Sequence, residues 1–220
     1  MIVVHHLNQS RSLRVLWLLE ELGLPYELVH HTRDPVTFLA PPSLRNVHPL
    51  GKAPVVVDED LVLAESGAIL ETLLQRHGQG RLQPNAEAQE VAYRYWMHAA
   101  EGSFMPPLVM SLVLAKMAQA PVSWPARLIA LPVLKKGAEG VLARLLRPQM
   151  QAQFSLMAET LNKQPWFAGE DFTAADIQMS YPVMAAQARA GLNAPPVLDW
   201  LARVRARPAF QAAQAKVTSE

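Results

Sequence analysis

The chain has 220 residues, half of them hydrophobic and 18% charged, with 20 basic against 19 acidic side chains and no cysteine. That length suits one large domain or two modest ones with proper cores, and the composition is too apolar for disorder. The near-zero net charge leaves no electrostatic footprint for nucleic acid or an anionic membrane. The missing cysteines exclude disulfides, thiolate metal sites and a protein thiol nucleophile.

The N-terminus, MIVVHHLNQS, has neither a basic start nor a long apolar core, so it does not read as a secretory signal. Its apolar, β-branched run Ile2–Leu7 reads as a strand. Val15, Leu18, Leu19 and Leu22 then recur at i, i+3, i+4 and i+7, a helix face that Gly23 and Pro25 bring to a stop. Tyr26–His31 is a second strand. The resulting β-α-β unit should have a right-handed crossover and parallel strands. A loop with Pro35, Pro41, Pro42 and Pro49 comes next, with room for one short helix. VVVD and LVLA flank Asp58-Glu59-Asp60 as a tight antiparallel hairpin. A helix from Ser66 to Gly78 carries Ile69, Leu70, Leu73 and Leu74 on one face.

Strand signals end there. From about Glu87 the segments 87–104, 137–162, 173–191 and 194–216 carry helical patterns. Pro106-Pro107 should break or kink the first of them, and Pro125, Pro132 and Pro148 punctuate the chain beyond it. GQGRLQPN, at 78–85, is the joint. The expected organisation is an α/β domain over residues 1–78, a linker at 79–86 and an all-α domain over 87–220. The longest apolar run, at 109–115, is too short to span a bilayer and stops at Lys116, so a soluble cytoplasmic protein is expected. Arginines of the last third, scattered among alanines, read as a solvated helix face.

Within DFTAADI, Thr173 fits an N-cap and Asp176 the N3 position, a capping box, with Phe172 and Ile177 as the staple pair. Asp176 is thus read as a folding element, not a catalytic acid. The pairs His5-His6 and His30-His31 place neighbours on opposite faces of their strands, so neither pair should form one metal site. Read by themselves, Pro54 is a strand-opening proline, Ser66 an N-cap, Glu65 a surface charge and Lys52 a solvated loop lysine.

Three segments, SRSLRVLWLLEELGLPYEL, NVHPLGKAPVVVDEDLVLAESGAIL and WFAGEDFTAADIQMSYP, occur in an order and spacing that resembles the cytosolic glutathione transferases, most closely a subgroup known from fungi and bacteria. The resemblance covers essentially the whole chain. It implies a thioredoxin-like N-terminal domain (βαβ-ββα), an all-helical C-terminal domain and a homodimer. Glutathione is the implied co-substrate and a hydrophobic electrophile the acceptor, with no cofactor and no metal. Pro54 is implied to be cis, with Ala53 pairing its backbone with the cysteinyl part of glutathione by strand addition. Glu65 and Ser66 match the pair that holds the γ-glutamyl end, and Lys52 matches a lysine that meets the glycine carboxylate. The catalytic position falls on Ser10, whose hydroxyl would donate to the glutathione thiolate, with Asn8 and Ser12 as rival donors. Met97, Phe104, Met105 and Trp124 are candidate walls of the acceptor pocket, which the resemblance puts between the domains beside the first long helix of the second. A glutathione-dependent peroxidase or thiol-exchange activity, and a non-catalytic binding protein, are the alternative functions.

Overall fold

The computed structural model describes residues 1–117, 119 and 124–218. The first half runs β1 (Ile2–Leu7), α1 (Leu13–Leu22), β2 (Tyr26–His31), α2 (Pro42–Val47), β3 (Val55–Asp58), β4 (Leu61–Ala64) and α3 (Ser66–Leu73), which continues as a π turn to Gly78. Among the described residues the strands form one sheet in the order β2-β1-β3-β4. β1 and β2 are parallel, while β3 runs antiparallel to both β1 and β4. This is the thioredoxin-like arrangement. Period-two alternation along β1 sends Ile2 and Val4 into the main core and Leu7 into a smaller one, where Leu44 of α2 covers it.

The second half is helical: α4 (Glu87–Ala99), α5 (Met105–Met117), α6 (Trp124–Val141), α7 (Arg147–Lys163), α8 (Ala174–Arg189), α9 (Pro195–Ala206) and α10 (Pro208–Thr218). A π turn over Ala100–Phe104 joins α4 to α5 without a break, so the expected interruption takes a milder form. Pro106 and Pro107 lie in the first turn of α5, where their missing N–H groups cost least. The carbonyl of Ser103, four residues before Pro107, instead accepts a bond from Gln153 Nε2 at 2.8 Å. The segment at 194–216 is two helices rather than one. Arg207 is extended and Pro208 opens α10, since the residue before a proline is disfavoured in the helical region.

α1 lies between the halves. Its sequence pattern marks one apolar face, yet Arg14 and Leu16–Trp17 are buried as well. α8 and α10 cover the remaining surface, with Trp17 against Phe172 at 5.4 Å and Phe210 at 5.0 Å. Arg207 closes the joint with a two-point ion pair to Glu21, at 2.6 and 2.8 Å.

Neighbouring histidines do point to opposite faces, but each meets a partner across the β1–β2 pair. His5 Nδ1 is 3.0 Å from His31 Nε2, and His6 stacks edge-on against His30 at 5.4 Å. His6 and His30 are paired in register, whereas His5 lies opposite Val29 and meets His31 diagonally, two residues farther along β2. Among the described residues there is no group of three or more His, Asp or Glu side chains able to hold a metal ion, and no helix is long and apolar enough to cross a membrane.

Candidate active site

Three chain turns meet at the C-terminal end of β1. The first joins β1 to α1. Gln9 there takes a left-handed φ of 55°, which turns the chain sharply into Ser10. Ser12 stands at the boundary of α1, where its carbonyl accepts the N–H groups of Val15 and Leu16. Its side chain makes no capping bond. Instead Ser12 Oγ lies 2.6 Å from Ser10 Oγ, and the Ser12 N–H donates to Ser10 Oγ at 3.3 Å.

The second turn precedes β3. Gly51 has φ 55°, and a Cβ there would stand 2.9 Å from Arg45 Cγ, so glycine is required by both backbone and space. It leads into Lys52, Ala53 and Pro54, and the Ala53–Pro54 peptide is cis, as the resemblance implied. The third turn joins β4 to α3. Glu65 holds φ 69°, an uncommon value for a residue with a side chain, and Ser66 is the first residue of the helix.

These turns enclose a groove of about 370 Å³ that Ser10, Lys52, Ala53, Pro54, Glu65 and Ser66 all line. The structure therefore brings Ser10 together with the five residues that the resemblance assigned to glutathione. The rival donors sit differently, although Asn8 lines the adjoining cavity along with Ser10. Ser12 is fully buried behind Ser10. Asn8 is tied to the loop after β2, its Oδ1 accepting the Arg33 N–H at 3.0 Å and its carbonyl accepting Arg33 Nε at 3.1 Å. Of the three, Ser10 lines the groove.

Sequence reading missed the charges behind this surface. Arg14, only 1% exposed, donates through Nη1 to Ser66 Oγ at 3.0 Å and to Glu101 Oε1 at 2.5 Å. Gln178 Nε2 of α8 adds a second bond to Ser66 Oγ at 3.2 Å. Burial draws the Arg14 guanidinium down to about 10, against the pull of Glu101, so it stays cationic at neutral pH. Arg11 Nε stands 2.9 Å from the same Glu101 oxygen, and the Tyr181 ring lies 5.1 and 5.3 Å from the Arg11 and Arg14 guanidinium carbons. The one local signal was an arginine inside the apolar run SLRVLWLL. Its partners lie 52 and 87 residues away, beyond any spacing rule.

A second cavity, of about 520 Å³, adjoins the groove and shares Gln9 and Ser10 with it. Its walls come from α1, α8 and α10, among them Leu13, Met184 and Val217. The four wall candidates fall elsewhere. Met97, Phe104 and Met105 are buried in the main core, because the apolar stripe of α4 and the π turn packs onto α8. Trp124 is 80% exposed at the start of α6. α4 reaches the groove only through its continuation, at Glu101.

A thioredoxin-like sheet with a groove at a cis-proline, docked on a helical domain across α1, is the two-domain architecture that the sequence motifs implied. The comparisons with known proteins give the family. The models for "Glutathione S-transferase, N-terminal domain" and "Glutathione S-transferase, C-terminal domain" match residues 1–75 and 105–208. Glutathione S-transferase 3 of Schizosaccharomyces pombe is 37% identical, over 99% of this chain and 88% of its own. Glutathione S-transferase 1 of Saccharomyces cerevisiae is 30% identical, over 98% and 94%. A crystal structure of a glutathione S-transferase from Actinobacillus pleuropneumoniae superposes with a TM-score of 0.76 at 30% identity, covering 99% of this chain and 93% of that one. The chain belongs to the glutathione S-transferase family.

Proposed function

We infer that this protein is a glutathione transferase of the serine type, which joins the glutathione thiolate to hydrophobic electrophiles. The observation that carries the reading is the position of Ser10, on the border between a polar groove and an adjoining cavity with aliphatic walls. The groove suits an extended tripeptide with charged ends. Ser66 accepts from Arg14 and Gln178, which occupies both oxygen lone pairs and leaves its O–H to donate to the γ-glutamyl carboxylate. Glu65, with Glu101 beside it, receives the neighbouring ammonium. Ala53 pairs with the cysteinyl backbone, and Lys52 meets the glycine carboxylate at the other end.

That alignment puts the thiol at Ser10. The Ser12 N–H takes one Ser10 lone pair at 3.3 Å. Either oxygen can donate across the 2.6 Å contact between the two hydroxyls, and this reading assigns Ser12 as the donor. Ser10 then has its own hydrogen to give to the sulfur, which stabilises the thiolate. Residues 1–78 bind glutathione, 79–86 join the domains, and 87–220 supply most of the acceptor cavity. A pure scaffold would leave the Arg14–Ser66–Gln178 arrangement without a purpose. In keeping with the family, we place the protein in the cytoplasm as a homodimer. Val62 on β4 and Val91 and Tyr95 on α4 are exposed apolar side chains available to such a contact. Sedimentation at micromolar concentration should give twice the chain mass, and a monomer overturns the dimer.

The test of activity is retention on immobilised glutathione together with conjugation of 1-chloro-2,4-dinitrobenzene. Both are expected. A protein that is neither retained nor active overturns the reading.

A further inference from the structure

The cavity beside Ser10 carries one feature that conjugation of apolar electrophiles does not use. Tyr181, Met184, Ala185, Ala188 and Arg189 all line it, and their spacing of 3, 4, 7 and 8 residues from Tyr181 puts them on one face of α8. At 1.5 Å per residue that face runs about 12 Å along the helix. Its Tyr181 end stands against Arg11 and Arg14 of the glutathione groove, and its Arg189 end is exposed at the last turn. Aliphatic side chains fill the interval, with Leu13 of α1 and Val217 of α10 facing Met184 and Ala185 across the space.

The lining includes no Asp, Glu or Lys; Arg189 is its one arginine, and His6 of β1, 3% exposed, is its other basic side chain. Among the described residues Arg189 has no ion pair. Resting on the transferase reading above, we propose that this cavity selects electrophiles with an apolar body and a carboxylate or similar anionic group, which Arg189 holds at the far end. A guanidinium is the side chain best matched to a carboxylate, because its planar fork presents paired donors. A cation in the last turn of α8 also suits the negative end of the helix. That role affects stability alone and predicts no preference among substrates.

The chemistry at the near end is unchanged by the choice of substrate. With an activated aryl chloride, the glutathione sulfur attacks the ring carbon bearing chlorine. The new C–S bond forms, the C–Cl bond breaks, and chloride leaves with its electron pair. The thiol proton has already passed to solvent. The anionic group is a handle and takes no part in bond making.

Two probes isolate the handle: 3-(4-chloro-3,5-dinitrophenyl)propanoate and the corresponding primary amide. Their saturated spacer insulates the ring, so both react at the same carbon with matched intrinsic reactivity. The quantity measured is the acid-to-amide ratio of kcat/KM. Arg189→Ala should lower that ratio by about 1.5- to fivefold, the range of an exposed ion pair. Arg189→Lys should restore part of it, and Arg189→Glu should lower it further. About 0.5 M salt should compress the wild-type ratio by screening the exposed charge. A ratio that Arg189→Ala leaves unchanged overturns the proposal while the transferase reading stands. So does an enzyme that conjugates 1-chloro-2,4-dinitrobenzene but neither probe. A protein that conjugates none of the three overturns both.

Discussion

Helices α1 and α8 both begin beside a hydroxyl residue, and the two hydroxyls serve opposite ends. At α8, Thr173 and Asp176 form a complete capping box. The Asp176 carboxylate accepts from the N–H groups of Thr173 and Phe167 at 3.1 and 3.0 Å and from Trp200 Nε1 at 2.9 Å. Asp176 is wholly buried and lines neither cavity. At α1, Ser12 makes no capping bond and turns its hydroxyl to Ser10, which faces the groove. α3 resembles α1: Glu65 caps nothing, and Ser66 is held by side chains from two other helices. A helix start capped by its own side chains has fewer free donors for a ligand. Of these three helix starts, the two without a side-chain cap border the groove at Pro54.

The largest expected effect breaks the structural side of this contrast. Asp176→Ala leaves three buried N–H donors without an acceptor, at about 1–3 kcal/mol each. Allowing for relief of a buried charge, a net loss of about 3 kcal/mol should lower Tm by roughly 6–12 °C. An unchanged melting temperature would show that the box is ornamental. Burial also pushes the Asp176 carboxyl up to about 6, outweighing the hydrogen bonds that pull it down. An acid with a raised folded pKa holds its proton more tightly in the folded chain. Stability from this group should therefore fall as pH rises from about 4 to about 6 and level off above. Asp176→Asn should flatten that slope in denaturant titrations.

The catalytic side comes next in size. A donor to the thiolate worth about 1.5–3 kcal/mol lowers the thiol pKa by about one to two units from roughly 8.5. Ser10→Ala should thus lose about ten- to fiftyfold in rate near pH 6.5 and regain part of it near pH 9, where hydroxide does the ionising. Thiolate absorbance of the glutathione complex reports the shift. Should Asn8→Ala move that titration while Ser10→Ala does not, Asn8 is the donor instead.

Ser66→Ala removes binding to a remote part of the substrate, so KM for glutathione should rise about tenfold with kcat little changed. Equal losses in kcat would instead place Ser66 in transition-state stabilisation. The smallest effect sharpens the comparison. Ser12→Ala should shift the thiol titration in the same direction as Ser10→Ala, with a rate loss of only a few-fold at about pH 6.5, because it acts through Ser10. If the two variants match in size, Ser12 is more than a support.

Much of the fold was written in local sequence. The i, i+3, i+4 pattern of α1, the Gly23 stop and the hairpin turn depend on residues within a few positions of one another, as does the Thr173–Asp176 box. Local backbone preference and hydrophobic periodicity are enough to specify such features. The groove residues were legible for a different reason: Lys52–Pro54 and Glu65–Ser66 lie in short contiguous motifs.

What the sequence could not decide is who stands behind those motifs. Nothing local assigned Arg14 a partner, yet it is buried against Ser66 of α3, Glu101 of the π turn and Tyr181 of α8. Gln178 reaches Ser66 across 112 residues of chain. In the same way the cavity beside Ser10 is walled from α8 and α10 and not from α4, and Ser12 alone of the three donor candidates is fully buried. Periodicity reports which face of an element is apolar, but not which element covers it. The partners of a buried charge are set only when the two domains close around α1, because desolvation and hydrogen-bond geometry act through space and not along the chain.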